Sequence, residues 1–126
     1  MQITMAHGSG GRLTGELIDT IFAPAFDNEV LLQMEDSAVV PGAGRLAVTT
    51  DSFVVDPLFF PGGDIGKLSI CGTVNDLWMR GAEPKYLTCG FLLQEGLSTD
   101  LLKRAVQSMA QTAREAGVKL IAGDTK

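Results

Sequence analysis

Four aspartates stand out by their surroundings. Asp36 opens an apolar run (DSAVV) and Asp51 interrupts a β-branched one (TTDSFVV). Asp76 lies within a helical stretch (TVNDLW), and Asp124 follows the apolar run Val118 to Ala122. A carboxylate in an apolar segment is costly unless it is paired or bound to a cation. Four of them, each on a different element, read as a set meant to converge. Magnesium suits such a set, because it takes oxygen ligands, keeps several waters and bridges to substrate phosphates. The plainer alternative is that at least one of the four serves a structural salt bridge. Asp56 and Asp64 explain themselves, as a loop residue and a helix N-cap.

Groups suited to phosphate accompany the carboxylates. HGSGG, His7 to Gly11, has three glycines in five residues, which let a backbone approach an anion closely. It reads either as such a loop or as a floppy N-terminal arm. Neither a GxxxxGK[ST] phosphate loop nor a dinucleotide fingerprint is present. Lys67 falls in the first turn of a helix, where a cation opposes the helix dipole. Either an anionic ligand at that N-terminus accounts for it, or the lysine points to solvent. Asn75, beside Asp76, can offer its amide to a phosphate oxygen or a metal-bound water. His7, the single histidine, either contacts a nucleotide or sits exposed in a mobile arm.

The totals narrow the function classes. The 126 residues fit one domain, residues 1–126, with 45% hydrophobic and 20% charged residues, as in ordinary globular chains. Net charge is −5 with no Lys/Arg cluster, which argues against nucleic acid and anionic membranes as partners. Cys71 and Cys89 lie in apolar stretches without a CxxC and read as reduced core residues, a bridge between them being the alternative. The N-terminus lacks the features of a signal peptide. No apolar run reaches the roughly 18 residues of a membrane helix. A cytoplasmic protein is the expectation.

The elements must bring these groups together. Leu13, Leu17, Ile18 and Ile21 share a helical face from Leu13 to about Phe26, which Pro24 should end or bend. Asp36 to Val40 and Arg45 to Val55, separated by PGAG, predict two antiparallel strands, and DPLFFPGGD a loop. Asp64 caps a helix from Ile65 to about Arg80, stopped by Gly81. Tyr86 to Gln94 predicts a strand. Ser98 caps a long helix, Thr99 to Ala116, ended by Gly117. Val118 to Ala122 is the last strand. The fold class expected is α+β: a mainly antiparallel four-stranded sheet with helices packed on one face. The strands are apolar on both faces, and strands of that kind are usually covered twice. A second copy of the same sheet would supply the missing cover, so the patterning predicts a homodimer.

HGSGG, ED-SAVV, the block TTDSFVVDPLFFPGGDIGKLSICGTVNDLW and the final GDTK together resemble the HypE carbamoyl dehydratases of nickel–iron hydrogenase maturation. More broadly they resemble the N-terminal domain of the PurM-type ATP-binding superfamily. The resemblance spans nearly the whole chain. It implies a dimer built by joining sheets into a barrel, with ATP bound beside the interface and Mg²⁺ held by Asp36, Asp51, Asp76 and Asp124. It implies that His7, Gly8, Ser9, Gly10, Gly11, Lys67 and Asn75 contact the nucleotide. Lys126 would lie near the γ-phosphate, with Asp124 as its catalytic companion. Activity would be ATP-driven conversion of a C-terminal S-carboxamide cysteine to a thiocyanate. Partners would be other maturation proteins, a carbamoyltransferase and iron-scaffold proteins. The family's second domain and cysteine-ended tail have no counterpart here. The chain is thus expected to be an N-terminal domain that dimerises, binds ATP weakly and cannot complete the reaction on itself. A different PurM-type kinase or synthetase, or a non-catalytic dimerisation and docking module, are the alternatives.

Overall fold

The computed structural model describes all 126 residues. The chain opens with a 3₁₀ turn, Met5–Gly8, and a helix α1, Arg12–Leu17. This helix runs through a π-helical turn, Ile18–Phe22, into α2, Ala23–Phe26. Pro24 therefore does not end the helix. Proline lacks the N–H of an ordinary turn, and the ladder just before it widens, Ala23 donating to the Ile18 carbonyl five residues back. A 3₁₀ turn, Leu31–Gln33, follows.

The two strands expected over residues 36–40 and 45–55 do not form. The stretch forms neither helix nor strand, and none of residues 35–57 makes a backbone–backbone hydrogen bond. The DPLFFPGGD loop contains the hairpin instead: β1, Phe59–Phe60, and β2, Gly63–Asp64, pair antiparallel. Pro61 and Gly62 join them, Gly62 at φ +91°, where a side chain would be strained.

Helix α3, Ile65–Met79, begins where Asp64 accepts hydrogen bonds from the Gly66 and Lys67 N–H groups. β3, Tyr86–Phe91, α4, Thr99–Ala116, and β4, Lys119–Thr125, complete the chain. Ser98 caps α4, and Gly117 closes it at φ +72°.

β3 and β4 pair in parallel, so the sheet is not the four-stranded antiparallel one expected; there are two separate two-stranded sheets. The cause is connectivity. α4 carries the chain back along its own length, and a strand–helix–strand crossover of that length delivers the second strand parallel to the first. An irregularity after Leu87 leaves Ile121 as an extra residue on β4. β4 also continues past Ala122, putting Gly123, Asp124 and Thr125 in register with Cys89, Gly90 and Phe91. α+β stands as the class.

The core lies where α1, the π turn, α2, α3 and α4 meet the parallel pair. Leu17, Ile21, Phe22 and Phe26 meet Ile70 and Val74 of α3, Leu102, Val106 and Met109 of α4, and Leu87 and Leu120 of the strands. Ile3 joins them: its N–H donates to the Leu97 carbonyl and its carbonyl accepts from Gly96. No helix is long and apolar enough to cross a membrane.

Candidate phosphate site at the end of the parallel strands

The C-terminal end of β3 and β4 gathers the two glycine motifs from the ends of the chain. Lys126 donates its N–H to the Phe91 carbonyl at 2.9 Å and accepts from the Leu93 N–H at 2.7 Å. Its ammonium turns back to Asp124 Oδ1 at 3.2 Å. This ammonium, the Thr125 N–H and, least, charge attraction hold the exposed Asp124 carboxyl below its ordinary range, desolvation opposing weakly. On the other side lies the HGSGG loop. A Cβ on Gly8 would stand 2.7 Å from the Lys126 carbonyl carbon and 2.9 Å from its Cα, so the two backbones touch.

The loop is hydrogen-bonded to the fold and its histidine is buried, which corrects the expectation of an exposed His7. His7 is 4% exposed. Its Nδ1 accepts from the Thr4 N–H at 3.0 Å, with the Thr4 hydroxyl equally close, so the ring holds the loop's shape. The Thr14 hydroxyl donates to the His7 carbonyl at 2.8 Å and accepts from the Gly10 N–H at 3.0 Å. Ser9 donates to the Ala6 carbonyl at 3.0 Å. Gly10 sits at φ +82° with open space beside it. Gly11 precedes α1 as its cap residue. Thr14 went unnoticed in the sequence; a threonine on the buried side of a helix that starts after a glycine loop is the signal that marks it. An apolar cavity of about 90 Å³ opens beside Asp124 and Thr125, lined by Ile18, Phe22, Met34 and Phe91 among others.

The remaining groups sit on α3 and on residues 35–57. Lys67 is exposed, and the N–H donors of its helix end are already engaged by Asp64. Asn75 and Asp76 are exposed one turn beyond Gly72, on which the Phe53 ring packs; a Cβ there would come 2.7 Å from that ring. Asp51 precedes Phe53 by two residues and accepts its neighbour Ser52's N–H at 3.0 Å. Asp36 is exposed beyond Met34.

A metal does not fit this arrangement in the single chain. No three carboxylate, histidine or cysteine side chains stand together, and Asp124 is occupied by Lys126. Both cysteines are free, and burial pushes the Cys89 thiol up to about 11.

Comparison with known proteins extends the geometry. The chain is 54% identical to the carbamoyl dehydratase HypE of Escherichia coli (strain K12), over 98% of this chain and 39% of that protein. It is 42% identical to a putative hydrogenase expression/formation protein of Methanocaldococcus jannaschii, over 100% of this chain and 40% of that one. A HypE crystal structure in complex with ATP superposes with a TM-score of 0.94 at 54% identity, covering 97% of this chain and 36% of that one. The chain thus spans well under half the length of these relatives. The model of the AIR synthase related protein N-terminal domain matches residues 34–126, and the chain belongs to that family.

Proposed function

We propose that this chain is the ATP-binding domain of an ATP-dependent carbamoyl dehydratase serving hydrogenase maturation. One observation carries the reading: the glycine loop closes on Lys126, beside Asp124, in a chain 54% identical to a HypE solved with ATP. In the reaction, the oxygen of a cysteine S-carboxamide attacks the γ-phosphorus of ATP, and ADP leaves. The C–O bond then breaks, phosphate departs with that oxygen, and the nitrogen sheds its two protons to leave a thiocyanate. Oxide is a poor leaving group and phosphate a good one. The domain's task is therefore positioning and charge neutralisation. Lys126 would exchange its carboxylate partner for γ-phosphate oxygens. Lys67, Asn75 and the HGSGG backbone would contact the nucleotide.

Residues 35–57 support a homodimer. They lack backbone partners, and Val39, Val48 and Val54 are 80%, 88% and 96% exposed. Backbone with unpaired N–H and C=O groups can take partners from another chain. Asp36 and Asp51 ride on this segment, so a magnesium site would belong to the paired form. A chain 59% identical to this one occurs in a HypE–HypF complex, which supports a HypF-like carbamoyltransferase partner; iron-scaffold proteins would follow it in a cytoplasmic assembly line.

The docking-module reading is favoured by the scattered carboxylates of the single chain. Calorimetric titration of the chain with ATP, with and without Mg²⁺, separates the two. Metal-dependent binding supports the ATP-binding domain, and Asp51→Asn should weaken it while leaving the dimer intact. Absence of binding in both arms supports the docking module. Turnover of another PurM-type substrate, such as thiamine phosphate, by the longer protein would favour a kinase.

A further inference from the structure

We propose that Gly8 is a positioning residue for Lys126, and that the N-terminal loop works as a clamp on the last residues of β4 rather than only as a lining of the nucleotide site. This rests on the ATP-binding reading above. The clamp has two jaws. One is the end of β3, where the Phe91 carbonyl and the Leu93 N–H hold the Lys126 backbone at 2.9 and 2.7 Å. The other is Gly8, whose Cα faces the Lys126 main chain so closely that a methyl group would fall 2.7 Å from its carbonyl carbon. Side chains essentially never approach backbone that closely, so a Cβ at Gly8 must displace one of the two strands of chain.

The loop cannot easily yield. His7 is buried and bonded through Nδ1 to Thr4, while Thr14 grips the loop at both the His7 carbonyl and the Gly10 N–H. Ile3, just before, is fastened to Leu97 and Gly96 on the segment that follows β3. Strain would therefore pass to Lys126. Its ammonium and the Asp124 carboxylate are exposed and lie 3.2 Å apart, with no other side chain bonded to either, so their positions follow the backbone that carries them. A displacement of about 1 Å in a group that neutralises a transferring phosphoryl costs on the order of a hundredfold in rate.

The test compares the 126-residue chain with Gly8→Ala, and with Gly15→Ala as the control, since nothing lies within 4 Å of a Cβ there. Two readouts are taken: ATP affinity by calorimetry, and hydrogen exchange of the Leu93 and Lys126 amides against the buried Val106 amide. The expected result is at least tenfold weaker ATP binding and at least tenfold faster exchange at Leu93 and Lys126, with Val106 unchanged. Affinity within twofold of the parent overturns the clamp. So does weakened affinity with unaltered exchange, which would make Gly8 a direct contact. If the parent chain binds no ATP, the ATP-binding reading fails for this chain, and exchange alone decides the clamp: no selective increase overturns it. Should Gly8→Ala not fold, Thr14→Val removes the loop's hydroxyl bonds at nearly constant volume and is held to the same criteria.

Discussion

Ser108 Oγ donates to Asp64 Oδ2 at 2.6 Å across the α3–α4 interface, while Oδ1 of the same carboxylate caps α3 by accepting from Gly66 and Lys67. One side chain thus terminates the hairpin, starts α3 and ties it to α4. Arg104, stacked 4.2 Å over the Phe59 ring, holds the hairpin to the same helix. Loss of the cap costs about 1 kcal/mol, and loss of a hydrogen bond to a charged group about 1.5–3 kcal/mol. Asp64→Ala should therefore destabilise by roughly 3 kcal/mol, lowering the thermal midpoint by about 10 °C. Ser108→Ala should cost about half as much. The double variant should match Asp64→Ala within about 0.5 kcal/mol. Additive losses would show that the two groups act separately.

Gly66 sets how closely α3 approaches α4. A Cβ there would collide with the Ala105 carbonyl and come 2.9 Å from Met109 Cγ. Overpacking against backbone costs about 3 kcal/mol, since neither helix can retreat without opening the core. Gly15 lies in α1 with open space beside it, so Gly15→Ala should instead stabilise by about 0.5–1 kcal/mol. Chemical denaturation of the two variants should move the midpoint in opposite directions. A Gly66→Ala protein as stable as its parent would mean that the helices slide apart freely.

The helices were legible because their signals are local. Ser98, a long amphipathic run and Gly117 bound α4 to the residue, and Asp64 caps α3 as its position promised. The sheet was not, because pairing is non-local. DSAVV and RLAVTTDSFVV are rich in β-branched residues, yet neither pairs with another strand in the single chain. Their apolar residues Val39, Leu46, Val48 and Val54 stand exposed in the single chain. The parallel pairing of β3 with β4 was available from the helix between them, and the expectation of an antiparallel sheet overlooked it. At the site, Asp124 and Lys126 were visible as polar groups ending an apolar run. Gly8 was visible only as a glycine, because its role depends on contact with a residue more than a hundred positions away.

The exposed valines offer a separable test of pairing. Val48 and Val54 are 88% and 96% exposed and touch little in the single chain, whereas Phe53, between them and Gly72, packs on α3. Val48→Asp with Val54→Asp should leave the monomer's stability within about 0.5 kcal/mol, as surface changes do. Sedimentation at micromolar concentration should show a dimer for the parent chain and a monomer for the variant. A monomeric parent would remove the homodimer, and a dimeric variant would locate the interface elsewhere.

Asp124 should report on Lys126 through its titration. Its carboxyl lies below the ordinary range because the Lys126 ammonium donates to it, with the Thr125 N–H a second cause. A depressed folded value means the charged pair is present at neutral pH and is lost as pH falls through that value, below the usual carboxylate range. The group is fully exposed, so global stability should hardly follow it; the consequence is local, a released ammonium. Carbon-13 titration of the Asp124 carboxyl should therefore show a low midpoint in the parent chain. In Lys126→Met the midpoint should rise most of the way to that of a free aspartate, with the Thr125 N–H keeping it slightly low. Bound ATP should have the same sign of effect, since γ-phosphate oxygens would draw the ammonium away and add negative charge nearby. A midpoint that ignores both the substitution and the nucleotide would mean that Lys126 does not exchange partners, and that the phosphate sits elsewhere.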